Sequence, residues 1–151
     1  MNSEWVIERD QKREEWFCGN QDAVKFVTDF MNCAETWDDL IDEDYVPDDR
    51  IHDAFERALI GFNTNPFFVN NRLYLMAIII HTINAYHDSE ILKTGNEREK
   101  FIAFHLRNFG LEVYQACALL TGGYEHLRKV SPEMRSFFCF ENYSDWVKEN
   151  G

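Results

Sequence analysis

The sequence predicts an all-α protein, a single-domain helical bundle, and three observations carry that expectation. Glycine and proline are scarce, 7 and 3 in 151 residues, so the frequent tight turns of a β-sandwich have little to be built from. Through the stretches between those breakers, apolar residues recur at three- and four-residue steps, the period of an amphipathic helix. Hydrophobic residues make up 45% of the chain and aromatic ones 15%, enough to fill one core in a domain of this length. The expected architecture is about five main helices with short C-terminal helices, all of residues 1–151 forming one domain.

Ser3 and the charged run to Trp16 start a first helix, which Gly19-Asn20 ends; residues 1–20 are expected at the periphery. A second helix runs from Gln21-Asp22 to about Asp42, with Ala23, Val27, Phe30, Ala34, Trp37 and Ile41 as its apolar face. Pro47 closes the following loop. Asp48 or Asp49 then caps a third helix to about Phe62, its stripe being Ile51, Phe55, Ala58 and Leu59. Asn63-Thr64-Asn65-Pro66 stops that helix and starts a fourth, because Asn favours caps and proline is tolerated in a first turn. The fourth helix reaches about Leu92, and its segment Leu73-Tyr-Leu-Met-Ala-Ile-Ile-Ile80 is apolar on all sides, which places it at the bundle centre. Thr94-Gly95-Asn96 breaks the chain before a fifth helix over 97–121, stopped by Gly122-Gly123. Two shorter helices, near 124–129 and 132–148, complete the chain.

A formal net charge of -12, from 27 acidic and 15 basic residues, argues against a phosphate backbone as partner. It permits the converse, an acidic surface that occupies a basic site on another protein. Cys18, Cys33, Cys117 and Cys139 form no CxxC pair and sit among apolar residues, which suits buried free thiols in a reducing compartment. The start of the chain is charged throughout, unlike a signal peptide, and the longest apolar run falls far short of the ~20 residues that span a bilayer. The expectation is a cytoplasmic protein, in the host cytoplasm if the source is viral, with no nucleic acid and no membrane as partner.

Candidate chemistry concentrates in Glu35-Thr-Trp-Asp38-Asp39-Leu-Ile-Asp42. At about 100° per residue, the four carboxylates share an arc of about 100° on the second helix. Like charges so spaced repel by a few tenths of a kcal/mol per exposed pair, a cost that a cation removes. Oxygen donors gathered this way suit Mg²⁺ or Mn²⁺, the expected cofactor. The plain alternative is a solvated acidic face, since the apolar arc of the same helix is centred roughly 120° away. Asp38 lies nearest the apolar edge and Asp39 furthest from it.

The fourth helix carries His81, Asn84 and Asp88 on one stripe, and the fifth carries His105, Asn108 and Glu112, so both read His-x2-Asn-x3-acid. Buried polar groups need partners. The stripes are therefore expected to face one another or the acidic second helix, as a hydrogen-bond network or a site, unless they are ordinary surface. The candidate catalytic residues are His81, His105 and Glu112; the candidate metal ligands are Glu35, Asp38, Asp39, Asp42 and Asp88. Arg98, Arg107, Arg128, Lys129 and Arg135 are basic residues that could meet a phosphate anion. His52-Asp53 and His87-Asp88 are bare HD dipeptides, no Glu-x-x-His pair exists, and no phosphate loop, GxSxG or GxGxxG occurs.

Residues 37–44, Trp-Asp-Asp-Leu-Ile-Asp-Glu-Asp, resemble the DDxxD motif of class I isoprenoid synthases. The resemblance implies that Asp38 and Asp42 bind Mg²⁺ that holds a substrate diphosphate. It covers about eight residues, no second acidic motif of that family recurs, and the family's bundle needs a much longer chain. The run from Glu35 to Asp42 is also similar to the EExxE motif of the all-α nucleotide pyrophosphatases, short acidic helical proteins that oligomerise and bind Mg²⁺; their later ExxD has no counterpart here. The order WDDLID, NPFF and a late GGYEH looks like that of small phage-encoded proteins.

Two functional expectations follow. One is a Mg²⁺-dependent diphosphate- or nucleotide-binding protein, a phosphohydrolase if catalytic. Asp38 and Asp42 would hold the metal, Glu35 or Asp39 would assist, and His81 or His105 would position water or phosphate. The other is a non-enzymatic acidic interaction protein, an inhibitor, nucleic-acid mimic or assembly factor, bound to a basic protein. A homo-oligomer is among the expectations.

Overall fold

The computed structural model describes residues 3–108 and 110–150. They form eight α-helices and no strand, in agreement with the all-α expectation. Helix α1 (Ser3–Trp16) ends where Cys18 and Gly19 turn to positive φ, 53° and 72°, and the Gly19 N–H closes the helix end on Glu14 O at 2.8 Å. Asn20 then caps α2 (Gln21–Ile41), its side chain accepting from Ala23 N at 3.0 Å.

Helix α3 (Asp48–Glu56) continues directly into a π-helical turn (Arg57–Gly61). Pro47 precedes it without a side-chain cap, so Asp48 and Asp49 act in the first turn, next to the positive helix end, rather than as caps. The expected stripe of α3 is only partly used. Ile51, Phe55 and Leu59 are 39%, 67% and 54% exposed, because α2, its one large neighbour, takes the side that presents Ala54, Arg57 and Ala58.

The long fourth helix of the sequence reading is two helices, α4 (Pro66–Asn70) and α5 (Arg72–Leu92), separated at Asn71 with φ -118° and ψ 17°. Asn65 caps α4 through Phe67 N and Phe68 N. The long fifth helix is likewise divided, into α6 (Glu97–Leu106) and α7 (Leu111–Phe138); Phe109, which the sequence reading had inside it, lies outside the described residues. Gly110 sits at this corner, where a Cβ would meet Met31 Sδ of α2 at 2.5 Å. Within α7, Gly123 breaks the helical path at φ 85° and ψ 179°, a conformation open essentially to glycine. Helical bonding resumes at once and runs through Pro132 to Phe138, so the expected helices near 124–129 and 132–148 become one continuation and α8 (Tyr143–Asn150).

The main core joins Trp16 and Phe17 to Phe26, Val27 and Phe30 of α2, Phe67 and Phe68 of α4, Leu75 and Ile79 of α5, and Val113, Tyr114 and Cys117 of α7. A smaller cluster holds Ala103 and Phe104 of α6 against Trp146 of α8. The helix buried all round is the start of α7, where Leu111 and every residue from Val113 to Ala118 are inside. Helix α5, expected at the centre, buries only the stripe Leu75, Ile79, Thr82, Tyr86 and Ser89. Small residues let α7 be approached closely by its neighbours; α5 meets α4, α6 and α7, and the end of α2 at Tyr86, through that one stripe. Among the thiols, Cys117 is buried, Cys33 half-buried, and Cys18 and Cys139 exposed; all four are free. No helix among the described residues is long and apolar enough to cross a membrane.

Candidate functional site: an acidic cleft and a histidine cleft

The end of α2 is docked on the C-terminal half of α5. Trp37 lies against Tyr86 with ring centroids 4.6 Å apart and meets His87 edge-on at 5.8 Å. Tyr86 Oη donates to Asp38 Oδ1 at 2.7 Å. Burial, and after it the Asp38 carboxylate, push the Tyr86 phenol far above its ordinary range, so it remains a donor. Asp39 pairs with Arg50 of α3 at 2.9 Å and lines the neighbouring cavity beside Asp38.

Glu35, Asp38 and Asp42 line one cleft of about 330 Å³ together with Glu90, Glu141 and Glu149. The cations in its wall are already engaged. Lys93 Nζ stands 2.8 Å from Glu90, and Arg107 pairs with Glu141 while its guanidinium lies 4.9 Å over Phe104 and 5.8 Å over Trp146. The Asp42 carboxyl is raised above the usual range, first by burial and then by the charges of Asp38 and Glu90. An adjoining cavity of about 790 Å³ shares Glu35, Asp38, Arg107 and Glu141 and is walled by Trp5, Phe137 and Phe138, with Trp5 stacked on Phe137 at 5.1 Å.

A second cleft, of about 700 Å³, opens between α5, α6 and α7. Here the two polar stripes meet in part, since His81, His105, Asn108 and Glu112 all line it over an apolar floor that includes Ile78 and Leu111. Glu112 pairs with Arg135 at 3.3 Å, Asn108 donates to Cys139 Sγ at 3.4 Å, and His105 lies against Phe101 at 4.9 Å. Asn84 and Asp88 are exposed instead and bond each other along α5 at 3.3 Å.

The structure thus sorts the candidate residues into sets. Glu35, Asp38 and Asp42 share the acidic cleft, His81, His105 and Glu112 share the other, Asp39 is paired with Arg50, and Asp88 stands on the surface. Among the described residues no three His, Cys, Asp or Glu side chains are grouped as a metal site. Sequence reasoning missed Tyr86, Glu90 and Glu149, which come to Asp38 and Asp42 from other helices, with no local signal that points across the fold. It also missed Asp29, 2% exposed on α2 and held by Arg57 and Lys25 at 2.6 and 2.7 Å. That residue had no local signal either, because it lies about 120° from the centre of the apolar face of α2, and it is Arg57 and Gly61, arriving from the following segment, that enclose it. No protein-family model matches the chain, and no curated protein or solved structure matches it.

Proposed function

We propose that this chain is a non-enzymatic acidic interaction protein whose carboxylate cleft receives a basic segment of a protein partner. The observation that carries the proposal is the charge state of that cleft. Glu35, Asp38, Asp42 and Glu149 converge there with Glu90 and Glu141, and the two cations present are engaged by the latter pair. Asp42 is raised first by burial and then by the charges of Asp38 and Glu90, so a guanidinium or ammonium group entering the cleft relieves the repulsive part and gains charge-assisted hydrogen bonds. The adjoining cavity adds apolar surface from Phe137 and Phe138 beside it, although Arg9, stacked 5.5 Å over Trp5, and Arg13 also line that cavity. The histidines line a different cleft from these carboxylates, which supports binding over catalysis. On this reading the chain is a single helical bundle of the cytoplasm, in keeping with its four free thiols.

The test is the affinity of an arginine-rich peptide, followed by fluorescence anisotropy from low to high salt. Binding is expected to weaken steeply with salt, and Glu35→Gln with Asp38→Asn and Asp42→Asn to weaken it at least tenfold, while Asp48→Asn with Asp49→Asn leaves it unchanged. Equal losses from both sets of variants would reduce the effect to net charge and sink the proposal.

The same crowding favours a second occupant, Mg²⁺ or Mn²⁺ held by Asp38 and Asp42 for a diphosphate or nucleotide. That reading expects millimolar Mg²⁺ to raise the melting temperature and the Asp38→Asn, Asp42→Asn pair to abolish the rise. An unchanged melting temperature would remove it.

A further inference from the structure

The buried guanidinium of Arg13 has no carboxylate of its own. Arg13 is 4% exposed, and its Nε donates to Tyr114 Oη at 2.6 Å and its Nη1 to Thr28 Oγ1 at 3.2 Å, both neutral oxygens. The nearest carboxylate oxygen, Asp10 Oδ1, stands 3.9 Å away and already accepts from Arg9 at 3.1 and 3.2 Å. Among the described residues Arg13 Nη2 has no hydrogen-bond partner, and Tyr114 Oη accepts from Arg13 without an acceptor for its own proton. Arg107 Nε is the one fully enclosed side-chain nitrogen or oxygen there without a partner, so solvent still reaches Arg13 Nη2. Arg13 and Tyr114 both line the cavity of about 790 Å³ beside the acidic cleft. A buried charge is costly unless paired, and an anionic oxygen is what these two donors lack.

That cavity is also bipolar. Thr28, Met31, Glu35 and Asp38 follow one face of α2 at steps of three and four residues, which sets Glu35 about 10 Å beyond the Arg13 contact at Thr28. Glu35 makes no hydrogen bond or ion pair among the described residues. The other carboxylates of the wall are engaged, Asp38 by Tyr86, Asp39 by Arg50 and Glu141 by Arg107. Arg9 stands one turn from Arg13 on α1, over Trp5, while Phe138 meets Tyr114 edge-on at 4.6 Å. The cavity thus has a cationic end, an apolar wall and an anionic end. A basic chain continuing through it would run into Arg9 and Arg13; a chain that stops there presents them with a carboxylate.

We infer that the basic segment received by the acidic cleft is the C-terminus of its protein, with the terminal carboxylate seated on Arg13 Nη2 and Tyr114 Oη and an apolar last side chain against Phe137 and Phe138. The inference rests on the reading of the acidic cleft as a seat for a basic partner, and it names which part of that partner enters. Three residues of extended chain cover about 10 Å, so a basic side chain within three residues of the terminus reaches Glu35. Capture of a terminal carboxylate adds a charge-assisted pair that no internal segment supplies.

Fluorescence anisotropy of the full chain with the N-terminally labelled peptide Arg-Arg-Ala-Phe, as free acid and as C-terminal amide, tests this. The net charge of -12 by itself favours the amide, which lacks the negative charge, so the sign of the difference separates a local seat from the general field. The free acid is expected to bind at least tenfold tighter. Arg13→Met should bring the two peptides within about twofold, and Tyr114→Phe, which keeps the ring, should cut the acid preference at least threefold. Glu35→Gln with Asp38→Asn and Asp42→Asn should weaken both peptides and keep the preference. An amide that binds as well as the acid overturns the inference, and the cleft reading still stands if the three carboxylate variants weaken that binding. An acid preference that survives both Arg13→Met and Tyr114→Phe puts the carboxylate elsewhere and overturns it as well. An acid preference that the carboxylate variants leave untouched, with no loss of affinity, overturns the cleft reading and leaves the seat at Arg13 standing. Binding of neither peptide overturns both.

Discussion

Gly61 and Asp29 are coupled through a single contact, and the coupling has a calculable sign. Asp29 accepts from Arg57 Nη1 at 2.6 Å and from Lys25 Nζ at 2.7 Å, and a Cβ on Gly61 would stand 2.8 Å from Asp29 Oδ2. Alanine is favoured over glycine by about 0.8–1 kcal/mol in a helix interior, an upper bound for Gly61 at the last position of the π-helical turn. At Gly61 it displaces the carboxylate from one cation, and a hydrogen bond to a charged group contributes about 1.5–3 kcal/mol. Gly61→Ala should therefore destabilise by about 1 kcal/mol net. Asp29→Ala frees Lys25, 61% exposed, to hydrate and leaves Arg57, 31% exposed, with Asp53 at 2.7 Å. Its cost falls below the 3–5 kcal/mol of a fully buried pair, at about 2 kcal/mol. In the Asp29→Ala background the obstruction is gone and Gly61→Ala becomes neutral or stabilising, a coupling of about 1.5 kcal/mol. Urea unfolding of the four proteins, at constant m, measures it. Additivity within about 0.5 kcal/mol would refute the argument.

Two further expectations concern pH. Because the folded pKa of Asp42 is raised by burial, Asp38 and Glu90, its contribution favours folding below the ordinary carboxyl range and is lost as pH rises through the raised value. Asp42→Asn should thus raise the melting temperature at pH 7 by about 1–2 °C, from ~0.5 kcal/mol of relieved repulsion, with the gain gone near pH 4; a loss of stability at pH 7 would contradict the crowding. Glu133 is shifted the other way, lowered by hydrogen bonds from Lys12 and Trp16 at 3.2 and 2.9 Å. Its contribution is present above the ordinary value and lost as pH falls through the folded one. Since Glu133 is half exposed, Glu133→Gln should cost no more than about 1 kcal/mol at neutral pH and nothing in strong acid; a cost that persists in strong acid would point to packing instead.

Several local features were legible residue by residue. Asn20, Asn65 and Asn96 cap α2, α4 and α6, because a short side-chain acceptor beside free N–H groups works through neighbours in sequence alone. The second helix appeared with most of its proposed face, Ala23, Val27, Phe30 and Ala34 being buried while Ile41 at its end is 47% exposed, and Asp38, nearest the apolar edge in sequence, is the carboxylate that reaches a buried partner, Tyr86. The breaks at Asn71 and before Gly110 had a local signal that was passed over, since Asn70-Asn71 and Asn108 with Gly110 are poor helix formers, while the close packing at Gly110 answers to Met31 of α2, far away in the chain.

Periodicity, caps and charge are properties of neighbouring residues, and from them the sequence by itself determined an acidic, all-helical chain and the shared arc of Glu35, Asp38 and Asp42. Only the tertiary structure decided what each face meets. It sent Asp39 to Arg50, brought Tyr86 and Glu90 to the rest of the arc, kept His81 and His105 in another cleft, and left Leu73 and Ile80 of α5 outside the core. The physical reason is that a helical period states which side chains share a face, while burial depends on which distant elements arrive there, and those are selected by packing of the whole chain.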